Sequence, residues 1–115
     1  MFALKEFLQK MNIDNPIEIS LILLTPRQIK KLNYEYRRKN NPTDVLSFPI
    51  DIIKTEDIKK FKKDDRIILG DVYVCPAFIK SRVKKEFVKE LQFIFIHGVA
   101  HLLGYNHEKQ KKLDL

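Results

Sequence analysis

Between Phe87 and Leu103 the chain carries Leu91, Phe93, Ile94, Phe95, Ile96, Val99, Leu102 and Leu103, apolar positions that cover nearly all of a helix's circumference. A helix apolar on so many sides has to be enclosed by the rest of the fold. The same segment nevertheless carries polar rings: all three histidines of the chain lie within HGVAHLLGYNH, from His97 to His107. Residues four apart stack on one helix face, so His97 and His101 can grip one metal ion together. Gly104 allows the left-handed step that ends many helices, and the chain can then fold back to deliver His107. Zinc held by three protein nitrogens keeps its fourth position for water or substrate, whereas structural sites are closed by four protein ligands. Zinc, one ion per chain, is the default; imidazole also suits iron, copper and nickel. The competing explanation is a core helix whose histidines are satisfied by backbone hydrogen bonds. A buried helix also holds ligands rigidly, which a metal site needs.

The position after the first histidine is Gly98, where HExxH zinc peptidases place a glutamate as general base. The outline HxxxHxxGxxH is similar to the metal-binding segment of the metzincin peptidases, with the base missing, so peptide hydrolysis by that route is not expected. Three blocks together resemble the YbeY family of bacterial metal-dependent endoribonucleases: LNYEYRRKNNPTDVLSFP from Leu32 to Pro49, LGDVYVCP from Leu69 to Pro76, and the histidine block. The first looks like the family's LNxxYRxxxxPTDVLSFP signature, with Arg37 as its arginine. Asn106, Ala100 and Cys75 depart from the residues usual there, and none of these changes removes a histidine. Asn106 in place of an aspartate cannot accept a proton as a carboxylate does.

At 115 residues and 44% hydrophobic content, residues 1–115 read as a single YbeY-like metallohydrolase domain. One cysteine forms no internal disulfide, charges interrupt the apolar residues of MFALKEFLQKM, and no apolar run is long enough for a membrane span. A cytoplasmic location is the expectation. The surplus of 22 Lys plus Arg over 15 Asp plus Glu points to an anionic partner, with one cluster from Arg27 to Lys39 and another from Lys59 to Arg66.

Helical spacing covers Phe2 to Met11, and Ile17 to Leu24 reads as a strand. Thr25-Pro26 caps and opens a helix to about Lys39 with Ile29, Leu32 and Tyr36 inward. Thr43 to Pro49 and Arg66 to Cys75 read as strands, with Gly70 a bulge or close-approach point. Asp51 to Asp65 is a loop or weak helix. Pro76 opens a helix to about Val83, Lys84 to Glu86 interrupts, and the histidine helix follows. The expected class is α+β, a small mixed sheet with surrounding helices and a central metal-bearing helix; the resemblance implies about four strands and a metzincin-like core.

His97, His101 and His107 are the expected metal ligands, and Arg37 the phosphate-binding residue, since a guanidinium pairs bidentately with phosphate. The competing role for Arg37 is a surface pair with Glu35 or Asp44. Asp71 is expected either to orient a histidine or act as base, or to cap a turn. Thr43, Asp44 and Ser47 read as lining residues. Phe48 and Tyr105 are candidates for stacking on unpaired bases, with core packing the alternative for Phe48. Cys75 reads as a small buried apolar residue. The resemblance implies a zinc-dependent endoribonuclease acting on single-stranded ribosomal RNA, in maturation of the 16S rRNA 3′ end and late ribosome quality control. Its implied partners are the ribosome and ribosomal or GTPase proteins. The alternatives are a metal-stabilised RNA- or ribosome-binding module with little catalysis, and a hydrolase of another substrate.

Overall fold

The computed structural model describes residues 2–50, 58 and 60–104. Among these, four helices and three strands follow in the order α1 (Phe2–Lys10), β1 (Ile17–Leu23), α2 (Pro26–Arg37), β2 (Val45–Pro49), β3 (Ile67–Val74), α3 (Pro76–Arg82) and α4 (Phe87–Leu102). Local signals account for most of the boundaries. The Thr25 hydroxyl accepts from the Gln28 N–H while the Gln28 side chain accepts from the Thr25 N–H, a reciprocal capping box with Pro26 in the first turn. Helix α2 stops at Arg37, short of Lys39, because Arg38 takes a left-handed conformation with φ 58° and donates its N–H back to Asn33 and Tyr34.

The sheet has the order β1-β3-β2, with β1 parallel and β2 antiparallel to the central β3. It is mixed, as expected, but three-stranded among the described residues. The three segments with strand-like patterns are the three strands; the fourth had come only from the family resemblance.

An irregularity in β3 decides which residues face which helices. Glu18 pairs with Ile68 and Ile19 with Gly70, so Leu69 is an extra residue on β3. The extra residue reverses the alternation beyond it. As a result Ile67 and Leu69 before it, and Val72 and Val74 after it, all join one core with Phe7, Met11 and Ile13 and with Ile94, Val99 and Leu102 of α4. On the opposite face Ile29, Leu46 and Cys75 form a second core, flanked by Leu32, Phe48 and Tyr73. Helix α4 thus lies on one face of the sheet and α2 on the other.

Two glycines permit the close contacts. A Cβ at Gly70, where φ is +140°, would stand 2.3 Å from the Phe48 carbonyl oxygen. One at Gly98 would meet Val72 Cγ1 at 2.7 Å, Ser47 Oγ at 3.0 Å and Val45 Cγ2 at 3.1 Å. We expect Gly98→Ala to lower stability by about 1–3 kcal/mol through overpacking, although alanine is the better helix former. Gly70→Ala should cost more, because backbone cannot step aside and the torsion is confined to glycine. Urea unfolding should therefore give midpoints that fall from wild type to Gly98→Ala to Gly70→Ala; an unchanged Gly70→Ala midpoint would contradict this packing.

Candidate metal and phosphate site

With α4 pressed on the sheet at Gly98, the residues beside it are carried to one flank of the helix, toward β2. Ser47 in β2 donates its hydroxyl to the Gly98 carbonyl at 2.9 Å and fixes that contact. His97 and His101 then meet along the flank, with their Nε2 atoms 3.1 Å apart and ring centroids 4.7 Å apart. Two nitrogens each about 2.0–2.1 Å from one tetrahedral ion lie about 3.3 Å apart, so this pair fits a shared divalent ion. Among the described residues no group of three or more histidine, cysteine or acidic side chains converges. His107, the third expected ligand, lies outside the described residues, as do Tyr105 and Asn106.

Strand β2 is an outer strand of the sheet, and a cavity of about 750 Å³ opens along it. His97 and His101 line it from the α4 side, Tyr36 and Arg37 from α2, and residues 43–48 form its floor. The structure thus brings Arg37 and two of the three expected ligands to one cavity. It also places Thr43, Asp44 and Ser47 there.

Arg37 is exposed, and among the described residues its guanidinium has no carboxylate partner. The expected competitor for it, Asp44, is engaged elsewhere: Arg82 Nη1 stands 3.2 Å from Asp44 Oδ2, and Thr43 Oγ1 donates to Asp44 Oδ1 at 3.3 Å. Arg82 also reaches Glu90 of α4 at 3.6 Å, which links α3 and α4 to the loop before β2.

Asp71 does not line the cavity. It stands opposite Phe48 on the α2 face, whereas its neighbour Val72 faces Gly98. Unbroken alternation from Ile67 and Leu69 would have put Asp71 on the histidine side; the extra residue in β3 turns it away. A direct contact between Asp71 and the described histidines is therefore not part of this geometry.

Two contributors were not read from the sequence. Asn33, 1% exposed, donates its amide to the Asn41 carbonyl at 2.9 Å and ties the loop before β2 to α2. Its position four residues after the buried Ile29 was the available signal. Tyr36, assigned inward from its periodicity, is 66% exposed at the cavity wall. Phe48 is half-buried: it packs against the second core, also lines the cavity, and stands edge-on to both Tyr36 at 4.9 Å and Tyr73 at 5.6 Å.

Residues 1–114 match the family described as Endoribonuclease YbeY. The Endoribonuclease YbeY of Persephonella marina is 40% identical over 113 residues, covering 96% of this chain and 69% of that protein. That of Acetivibrio thermocellus is 38% identical, covering 96% of this chain and 75% of its own length. A solution structure of a Thermotoga maritima protein superposes with a TM-score of 0.55 at 31% identity, covering 96% of this chain and 76% of that one. No described helix is long and apolar enough to cross a membrane. With the family match spanning nearly every residue and relatives at 40% and 38% identity covered over more than two thirds of their length, the chain belongs to the YbeY endoribonuclease family.

Proposed function

We propose that this protein is a zinc-dependent endoribonuclease that cuts single-stranded ribosomal RNA, with 16S rRNA 3′-end maturation and late ribosome quality control as its setting. Family membership supports the substrate and the setting. The observation that carries the chemistry is the shared cavity, in which a guanidinium from α2 and two imidazoles from α4 face the same edge strand.

His97, His101 and His107 would hold one zinc ion. When bound, zinc lowers the pKa of a coordinated water toward about 7 and polarises a phosphoryl oxygen. Arg37 binds the scissile phosphate through paired N–H donors and stabilises the charge that grows on it. Asp44, held by Arg82 and Thr43, leaves that guanidinium to the substrate. Asp71 takes no part at the reacting atoms in this reading. The exposed Arg27, Lys30, Lys31 and Arg38 extend positive charge along α2 to Arg37 and suit a polyanion lying across the helix. Ribosomal or GTPase proteins would bring the enzyme to its substrate in the cytoplasm.

One observation favours a second reading, a metal-stabilised RNA-binding module: Gly98 stands where a peptidase has its base, and it faces the sheet. Cleavage separates the two. Wild-type protein carrying about one zinc per chain should cut a structured ribosomal RNA fragment, lose that activity on dialysis against a chelator and regain it with zinc. His101→Ala should hold less zinc and cut no faster than a mock preparation; equal cutting by both proteins gives the lead to the module.

Arg37→Ala should lower kcat/KM by about 10²–10³-fold, the scale of losing one transition-state donor. Zinc content and the unfolding midpoint should stay at wild-type values, because the side chain is exposed and has no carboxylate partner among the described residues. Arg37→Lys should recover only part of the rate, since an ammonium cannot pair bidentately. Full activity in Arg37→Ala would remove this residue from the mechanism.

A further inference from the structure

Tyr36 precedes Arg37 on α2 and lines the same cavity. It follows Ile29 and Leu32 along the stripe of α2 that packs on the sheet, yet it is 66% exposed whereas Ile29 is fully buried. The reason is positional. At the final turn of α2 the stripe has reached β2, the outermost of the described strands, where Tyr36 and Arg37 line the cavity.

The exposed ring is also held in place. Phe48 meets it edge-on, with centroids 4.9 Å apart and planes at 62°, and Phe48 is itself braced by Tyr73 at 5.6 Å and 81°. Bracing by a neighbouring ring leaves aromatic surface open, and a ring fixed in advance loses little conformational freedom when a ligand stacks on it. Tyr34, 49% exposed on the same helix, differs in this respect: the Arg38 guanidinium lies over its ring at 5.7 Å. Residue 34 also lies about 200° around the helix from residue 36, away from the cavity.

We infer that Tyr36 is a stacking platform for an unpaired nucleobase next to the phosphate that Arg37 holds. The inference rests on the endoribonuclease reading and adds a base-binding subsite to it. It makes the enzyme selective for single strands at this position, because a base inside a duplex has no free face to offer. It also gives Tyr36 the stacking role first considered for Phe48, whose ring is a brace within the fold.

The test uses zinc-loaded full-length protein and short single-stranded oligoribonucleotides in which one nucleotide at a time, on either side of the cut, is made abasic. Tyr36→Ala should raise KM by about 5–150-fold, the range for losing one stacked base, with kcat nearly unchanged. Tyr36→Phe should behave as wild type. Tyr36→Leu, apolar but without a π-face, should fail as Tyr36→Ala does. One abasic position should reproduce the loss in the wild type and add nothing in Tyr36→Ala, the non-additivity of two partners in one contact. Full affinity in Tyr36→Leu, or abasic losses that add to the variant's at every position, overturns the platform. If wild type binds and cuts RNA while Tyr36→Ala does so equally well, this inference alone fails; if wild type neither binds nor cuts, the endoribonuclease reading fails with it.

Discussion

The contact between α4 and the sheet at Gly98 sets the geometry of everything around it. No side chain fits there, and the helix backbone comes close enough for Ser47 to donate to the Gly98 carbonyl. Successive residues turn by about 100° around a helix, so when residue 98 faces the sheet, residues 97 and 101 both lie roughly a quarter turn to one side. That side is the open edge of β2. The two imidazoles are thus aimed by the contact made by the residue between them, which has no side chain of its own. Burial of Ile94, Ile96, Val99 and Leu102 around the rest of the helix then keeps it from rotating.

The cavity exists because two helices on opposite faces of the sheet meet the same outer strand. In a strand at the middle of the sheet, both edges would be hydrogen-bonded and neither helix could reach across. With β2 outermost among the described strands, α4 supplies groups from one face and the last turn of α2 from the other. The loop between α2 and β2 has to be held for this to work. Asn33 fastens it to α2 through Asn41, and Arg82 fastens Asp44 toward α3 and α4. Residues 33–48 behave as one clamp. This gives a physical reason for the continuity of the block LNYEYRRKNNPTDVLSFP, which contains the cavity-lining Arg37, the loop anchor Asn33, the edge strand and the serine that bonds to the histidine-bearing helix.

Element boundaries were legible from the sequence because they depend on neighbours along the chain. Thr25-Pro26 and Pro76 open helices, and alternation or apolar runs mark the three strands. The pairing of His97 with His101 was legible for the same reason, since four-residue spacing is a property of the helix alone. What the sequence did not disclose depends on contacts made across the fold. Tyr36 continues an inward periodicity, but only the fold shows that the ring it meets there belongs to an outer strand bordering a cavity. Asp71 sits in a block that resembles the family and reads as a site residue, but one extra residue in β3 sends it to the other face. Gly70 could be recognised as a bulge or close approach, but not the direction in which it would turn the residues after it. The parallel pairing of β1 with β3 has no local signature at all.

The missing glutamate after His97 follows from the same packing. In an HExxH peptidase the residue at that position points its carboxylate at the reacting water; in this chain that direction is filled by Val72, Ser47 and Val45. A carboxylate placed there would be buried against valines, with desolvation raising its pKa and nothing to act on. A base for RNA cleavage therefore has to come from another direction. Phosphodiester cleavage draws much of its acceleration from charge placed around the phosphoryl oxygens, which does not depend on a group at this position. The cavity holds groups of that kind, a guanidinium without a carboxylate partner among the described residues and two imidazoles at a spacing that suits a shared cation. The fold that excludes the peptidase base is thus compatible with a nuclease that relies on positive charge around a phosphate.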